Sequence, residues 1–316
     1  MFVMFGFVGT AAANGEQRYA LIVAGASGGQ EYAQQYGKWT DELSKLLALQ
    51  MKIDAAKITV LSDTPRPDAA ATGANVRKAM ARLRAAVQRD DVLLVVLIGH
   101  GTFDGVDAKF NLVGPDLEST AWAELVGGIA GRVVVVNTTS ASFPFIEGLA
   151  GPRRVIITAT DSAAQRFDTV FPEYFIAAFR QDTSDVDKNG RVSIWEAFSA
   201  AAGGVRRHYQ QRGQLATERP LLDDNGDGVG KDASDPGEDG ALASRTYLDE
   251  PIPGAAPTDP ALVKLLQRKA ALESEVEELR VRRTFMPPAE YAREFEKLMI
   301  DLAQVSQEVR KRTGSS

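Results

Sequence analysis

The sequence predicts an α/β fold built on a mainly parallel sheet. Three observations carry that reading. Short apolar runs recur with almost no polar alternation, stretches of helical periodicity separate several of them, and three runs end in glycine or small polar residues. Strands covered on both faces read as continuous apolar segments, because neither side meets water. In open sheets of this kind a site lies beyond the carboxyl ends of the strands.

Tyr19 to Ala24 (YALIVA) is the first such run, and Gly25 to Gly29 turns the chain. From Glu31 to Leu49 the spacing is helical, with Tyr32, Tyr36, Trp39, Leu43 and Leu46 on one side. Lys57 to Leu61 is a second strand and Ala74 to Gln88 a helix rich in Ala and Arg. Val92 to Ile98 (VLLVVLI) runs into Gly99-His100-Gly101, and Arg132 to Val136 runs into Asn137-Thr138-Thr139-Ser140. Arg154 to Thr158 is the fifth strand. Helices are expected over Phe171 to Gln181 and Ile194 to Gln211. Pro251 to Pro260 reads as a linker. Beyond it, heptad-like apolar spacing on both sides of Pro287-Pro288 predicts an antiparallel helical hairpin over 261–312. That hairpin either packs on its own chain or serves as an arm for a partner or a homodimer.

Composition narrows the function classes. Of 316 residues, 44% are hydrophobic and 25% charged, which suits a folded globular chain. Cysteine is absent, so disulfides, thiolate metal sites and a cysteine nucleophile are excluded. A net charge of −6 argues against a nucleic-acid partner. No apolar run is long enough to predict a transmembrane helix. Residues 1–13 read as the remnant of a signal peptide, with Ala11 and Ala13 before the cut, so a periplasmic or secreted location is expected.

His100 follows an apolar strand and stands between two glycines, where core packing does not call for a histidine. Histidine moves protons near neutrality, so this position is a candidate site. His208, in a helix beside Arg206 and Arg207, reads as part of a solvated face.

These residues bring a family into view. Leu21 to Gly28, Leu97-Ile98-Gly99-His100-Gly101, Val136 to Ala141 and Arg154 to Thr160 together resemble the caspase-like clan of cysteine peptidases, in its legumain-type branch. The resemblance covers roughly residues 19–180. It implies a three-layer α/β/α core, His100 as the base, and the nucleophile turn at 137–142. Thr139 stands at the cysteine position, with Thr138, Ser140 and Ser142 beside it. Ser27 occupies the place of an asparagine that helps to orient the histidine. Ala33 and Gln34 match the pair that builds legumain's asparagine pocket, so that specificity is not carried over.

A hydroxyl needs a base to remove its proton during attack, whereas a thiol is partly ionised at neutrality. The expectation is therefore a peptidase-like fold that is non-catalytic or weakly active and binds a peptide or protein partner. Two rivals stand beside it: a hydrolase using Ser140 or Thr139 with His100, and a calcium-stabilised envelope scaffold acting through its helical arm.

Asp185 to Glu196 fits D-x-[DN]-x-[DN]-G-x5-E at every defined position. In this EF-hand-type loop Asp185, Asp187 and Asn189 offer side-chain oxygens, Arg191 its carbonyl and Glu196 a closing carboxylate, and Gly190 takes the sharp turn. Calcium is the expected ion. A second candidate places Asp223, Asn225, Asp227 and the Val229 carbonyl in the same pattern, but position twelve is Ser234. Asp232, Asp235 or Glu238 would have to complete it. From Asp223 to Glu250 nine carboxylates face only Lys231 and Arg245. Residues 181–250 are thus read as a calcium-binding region following an 18–180 core.

Overall fold

A computed structural model describes residues 16–250, 260–283 and 286–313. The signal-like segment 1–13 lies outside the described residues, as does all of the linker 251–260 except Pro260. The main elements are β1 (Arg18–Ala24), α1 (Gln30–Lys45), β2 (Ile58–Leu61), α2 (Gly73–Ala86), β3 (Val92–Ile98), β4 (Gly101–Phe103), β5 (Ala108–Phe110), β6 (Leu117–Glu118) and α3 (Ser119–Gly127). They continue with β7 (Arg132–Asn137), α4 (Phe145–Leu149), β8 (Arg154–Thr158), α5 (Phe171–Ala178), α6 (Ile194–Gln211), β9 (Leu221–Asp223), α7 (Pro260–Arg282) and α8 (Pro288–Thr313).

The central sheet has six strands in the order β2-β1-β3-β7-β8-β9. The first five run parallel, and β9 closes the edge antiparallel to β8. This bears out the α/β reading with a mainly parallel sheet. Alternate strand residues feed two apolar layers. Ile22, Leu94, Val96, Val134 and Ile157 pack with α1, α5 and α6, while Leu21, Val95, Leu97, Val135 and Ile156 pack with α2, α3 and α4. Full burial of each such side chain contributes about 1.5–3 kcal/mol, so near-continuous apolar strands are what a doubly covered sheet requires.

The sequence missed two kinds of strand. β9 is three residues long, and β4, β5 and β6 form a small antiparallel sheet of two- and three-residue strands. Neither length supports a periodicity. α1 gives way to a π-helical turn at Leu46–Gln50 instead of continuing to Leu49 as a regular helix, and α5 stops at Ala178. Residues 181–250 do not stand apart from the core, since α6 buries Ile194, Phe198, Ala201 and Val205 in it and β9 extends its sheet.

Local signals fix several ends. Thr72 caps α2 by accepting from the Asn75 N–H at 3.2 Å. Ser193 and Glu196 form a reciprocal capping box at the start of α6. Pro288 opens α8, where its missing N–H costs nothing. The helices α7 and α8 pair antiparallel: Arg283 lies over Tyr291 beside the turn, and Arg280 over Phe295 one step further away. Leu262, Leu272, Val276 and Leu279 of α7 are buried, while the stripe of α8 is half-buried. Among the described residues, no helix is long and apolar enough to cross a membrane.

Candidate functional site

The chain leaves β1 toward β2 on one side and returns to β3 on the other, so strand order reverses between β1 and β3. Crevices form at such reversals because the connections diverge there. Ser27 follows β1 and His100 follows β3, and the fold brings the two together. Gly99 precedes His100 with φ +148, a conformation that favours glycine.

His100 is half-buried and held from both ring nitrogens. Its Nδ1 lies 3.5 Å from Asp168 Oδ1. Its Nε2 lies 3.1 Å from the Tyr36 hydroxyl and 3.3 Å from the Ser27 carbonyl. The Tyr32 ring meets the imidazole edge-on at 4.7 Å, and its hydroxyl donates to Asp168 Oδ2 at 2.6 Å. Burial, with the Asp168 charge in support, pushes the Tyr36 phenol up, which keeps it protonated. The Ser27 side chain points elsewhere: Oγ donates to Asp63 Oδ2 at 2.8 Å, and the same oxygen takes the Ser27 N–H. It is the backbone of Ser27, not its hydroxyl, that meets the histidine.

The turn after β7 is closed on itself. Asn137 Oδ1 accepts from the Thr139 N–H and from Thr139 Oγ1 at 2.9 Å, an Asx turn. Thr138 Oγ1 donates to the Leu97 carbonyl at 2.7 Å, and Ser140 Oγ to the Gly101 carbonyl at 3.3 Å. Ser142 Oγ takes the Ala159 and Thr160 N–H groups and contacts Thr160 Oγ1, which itself donates to the Ser140 carbonyl. Gly101 permits this closure, since a Cβ there would stand 2.5 Å from Thr139 Oγ1. Thr139 is 1% exposed beneath Gly101, and Ser140, not Thr139, lines the crevice with Tyr36 and Asp168. That crevice has about 10 Å³, the room of one water. None of the four hydroxyls bonds the His100 ring.

Glu218 fixes the segment that carries Asp168. Its two oxygens accept from the Val170 and Phe171 N–H groups at 2.8 and 3.1 Å, and Tyr209 donates to it at 3.0 Å. Burial pushes its carboxyl up to about 7.

The 185–196 loop gathers Asp185, Asp187 and Glu196, each offering an oxygen within 4.8 Å of the others. This is the one such trio among the described residues, and it can hold a metal ion. Asp185 accepts from the Asn189 and Gly190 N–H groups, and Gly190 takes φ +83. Glu196 Oε1 accepts from Val186 N, and Oε2 from Ser193 N and Oγ. Burial, joined by the Asp187 charge, pushes Glu196 up to about 7; burial also raises Asp187. Arg191 locks the loop to the 246–249 segment through Asp249 at 2.9 Å and the face of Tyr247.

The 223–229 loop is arranged differently. Asp223 turns both oxygens onto the Gly226 and Gly228 N–H groups, and Asp227 accepts from Val229 N. Asn225 accepts from Asp227 N. Asp224 takes three N–H groups, from Gly240, Leu242 and Ala243. Burial alone would raise Asp232, but bonds from Ser234 and Arg219 bring it below its ordinary value and turn it away from the loop. Asp235 and Glu238 are exposed. His208 contacts the Tyr174 hydroxyl at 3.1 Å, far from any of these groups in role.

Sequence reasoning missed Asp168, Asp63 and Glu218, and placed Tyr32 and Tyr36 on one side of a helix without assigning them to the site. Asp168 and Glu218 lie in irregular segments where no spacing points at a partner. No family model and no curated protein matches this chain. Among solved structures it is similar to the crystal structure of protein GSU0716 from Geobacter sulfurreducens, at 17% identity and a TM-score of 0.42, covering 66% of this chain and 93% of that one.

Proposed function

We propose that the chain is a caspase-like, legumain-type peptidase fold without catalytic power, which holds calcium at 185–196 and works by binding a peptide or protein partner. One observation carries the silent-cleft half of this reading. Every hydroxyl of the β7 turn has a bond of its own, and His100 spends its ring nitrogens on Asp168, Tyr36 and the Ser27 carbonyl. An activated nucleophile requires a hydrogen bond to its base, with the base oriented by a third group. Here the orienting group and the base are present, and the link to the nucleophile is missing.

The calcium half rests on the donor set. Three carboxylates crowd one spot, and burial raises two of them, which a divalent cation would relieve. All the donors are oxygens, which suits a hard ion. Asp185, Asp187 and Glu196 would hold it together with Asn189 and the Arg191 carbonyl, and the ion would supply charge neutralisation, not chemistry. Asp223, Asn225, Asp227 and Val229 are weaker candidates, because Ser234 stands where the closing carboxylate belongs and Asp232 is held by Ser234 and Arg219.

The test is turnover of a mixed peptide pool by wild type, His100→Ala and Ser140→Ala. The expected result is no cleavage by any of them. Cleavage by wild type that disappears in both variants would make this a serine-type hydrolase.

A further inference from the structure

A cavity of about 320 Å³ opens between the 181–187 segment, one face of α6 and α7, and it shares no lining residue with the His100 crevice. That volume lies at the small end of the range for ligand sites, about 300–1,000 Å³. We propose that this cavity binds a small amphipathic carboxylate, an apolar body with one anionic head. The inference goes beyond the proposed function and needs neither the silent crevice nor an ion in the 185–196 loop.

Sequence spacing makes the room. Glu196, Ser199, Ala200, Gly203 and Arg207 follow one another at steps of three and four, so they share one face of α6. The core takes a different face of the same helix, with Ile194, Phe198, Ala201 and Val205. Three small residues in the middle of the cavity face leave a gap, and Leu266 and Lys269 of α7 line it from the other side. Trp195 and Val186 complete the apolar lining. Val186 stays 39% exposed, so the fold itself does not cover it.

The polar groups of the wall differ in what they lack. Glu196 accepts from the Val186 and Ser193 N–H groups, and Asp187 from the amide and the side chain of Asn189. The groups left over are donors. Ser184 is 2% exposed, and its hydroxyl has no hydrogen-bond partner. A buried hydroxyl in that state is destabilising unless a partner arrives. The Arg207 guanidinium makes no hydrogen bond or ion pair with any described residue.

Arg207 is nevertheless folded back along its helix. A Cβ on Gly203 would meet its Nη1 at 3.3 Å. Glycine is unfavourable in a helix interior, and here it gives the guanidinium space against the cavity. Gly203 lies two turns beyond Glu196, about 10 Å along the helix, so the guanidinium is set apart from the two carboxylates. Lys269 adds positive charge from α7. Donors without acceptors select a ligand that accepts and carries negative charge, and a guanidinium offers a carboxylate two parallel bonds.

The experiment is calorimetric titration of the full chain with octanoate, against octanamide and octylammonium as neutral and cationic counterparts. Saturable binding of octanoate is expected, with both counterparts at least about tenfold weaker. Ser199→Leu fills the cavity and should weaken binding about tenfold or more without lowering the melting temperature, because leucine favours the helix. Arg207→Met keeps the apolar stem and should weaken binding several-fold. Ser184→Ala should also weaken it, and should leave the melting temperature of the free chain unchanged or higher, since it removes a hydroxyl without a partner. No saturable binding, equal binding of the three probes, or unchanged binding in Ser199→Leu and Arg207→Met would overturn the proposal. Octanoate binding beside a melting curve indifferent to calcium would instead sink the calcium half of the proposed function and leave this site standing.

Discussion

The turn after β7 and the loop before α6 are both short and polar, the turn buried and the loop half-exposed up to Ser193, and they resolve their polarity in opposite ways. In the turn, hydroxyls and amides answer one another. Asn137 holds Thr139, Ser142 holds the start of the segment after β8, and Thr160 returns to Ser140. In the loop, three carboxylates crowd one spot, and although each oxygen takes a donor, burial keeps two of them raised. Hydroxyls can both give and accept, so a cluster of them closes internally; carboxylates only accept, so a cluster of them waits for a cation or a proton. The turn's hydroxyls are thus all bonded within it, with Asn137 Nδ2 the buried polar atom left over, whereas two of the loop's carboxylates stay raised.

The largest expected effect comes from pH. The Glu196 carboxyl rises from its ordinary 4.5 to about 7 on folding. A raised acid stabilises the fold below its unfolded value, and that stability is lost as pH climbs through the folded value. The metal-free chain should therefore lose about 3 kcal/mol between pH 4.5 and 7.5 from this group. Glu218, also raised to about 7, acts with the same sign in the same window. Urea melts of wild type, Glu196→Gln and Glu218→Gln in chelator would separate the two. A pH-independent midpoint in wild type would break the contrast between loop and turn.

Calcium should act almost as strongly in the opposite direction. At about a hundred times its Kd, calcium adds about 2.7 kcal/mol, or roughly 5 °C in a chain of this size. Glu196→Gln should abolish the gain, and Asp227→Asn should leave most of it. Melting curves with calcium and with chelator that coincide for wild type would reject the loop as a metal site.

Ser142→Ala probes the turn. It strips the acceptor from two buried amides and the donor from Thr160 Oγ1, and should cost about 2 kcal/mol in a urea melt. A change below about 0.5 kcal/mol, the usual range for surface positions, would mean the network is not what holds the turn.

How much of this was legible differs between the two regions for a physical reason. The loop was readable because its three carboxylates come from one short segment, so the clustering of Asp185, Asp187 and Glu196 follows from their spacing. The crevice is assembled across the sheet from Ser27, Tyr36, His100, Ser140 and Asp168. His100 stood out through its glycines and the strand before it, but the side chains that occupy it come from a helix face and an irregular segment. The sequence also could not choose between Thr139 and Ser140. That choice is made by Gly101, against which Thr139 packs, leaving Ser140 at the opening. For the same reason the strands with long apolar runs were found and β9 was not.

The choice between the two hydroxyls predicts the smallest effect. With no native cysteine in the chain, Thr139→Cys and Ser140→Cys each carry a single thiol. Ser140→Cys should react with iodoacetamide several-fold faster than Thr139→Cys, since exposure limits a buried thiol. The reverse order would place Thr139 at the opening.

The central claim, that the crevice has a base and no nucleophile linked to it, is tested most directly by treating the folded wild-type chain with a fluorophosphonate probe and mapping adducts by mass spectrometry. The account predicts no adduct on Thr138, Thr139, Ser140 or Ser142 above that of a surface serine. A stoichiometric adduct on Ser140 that vanishes in His100→Ala would contradict it.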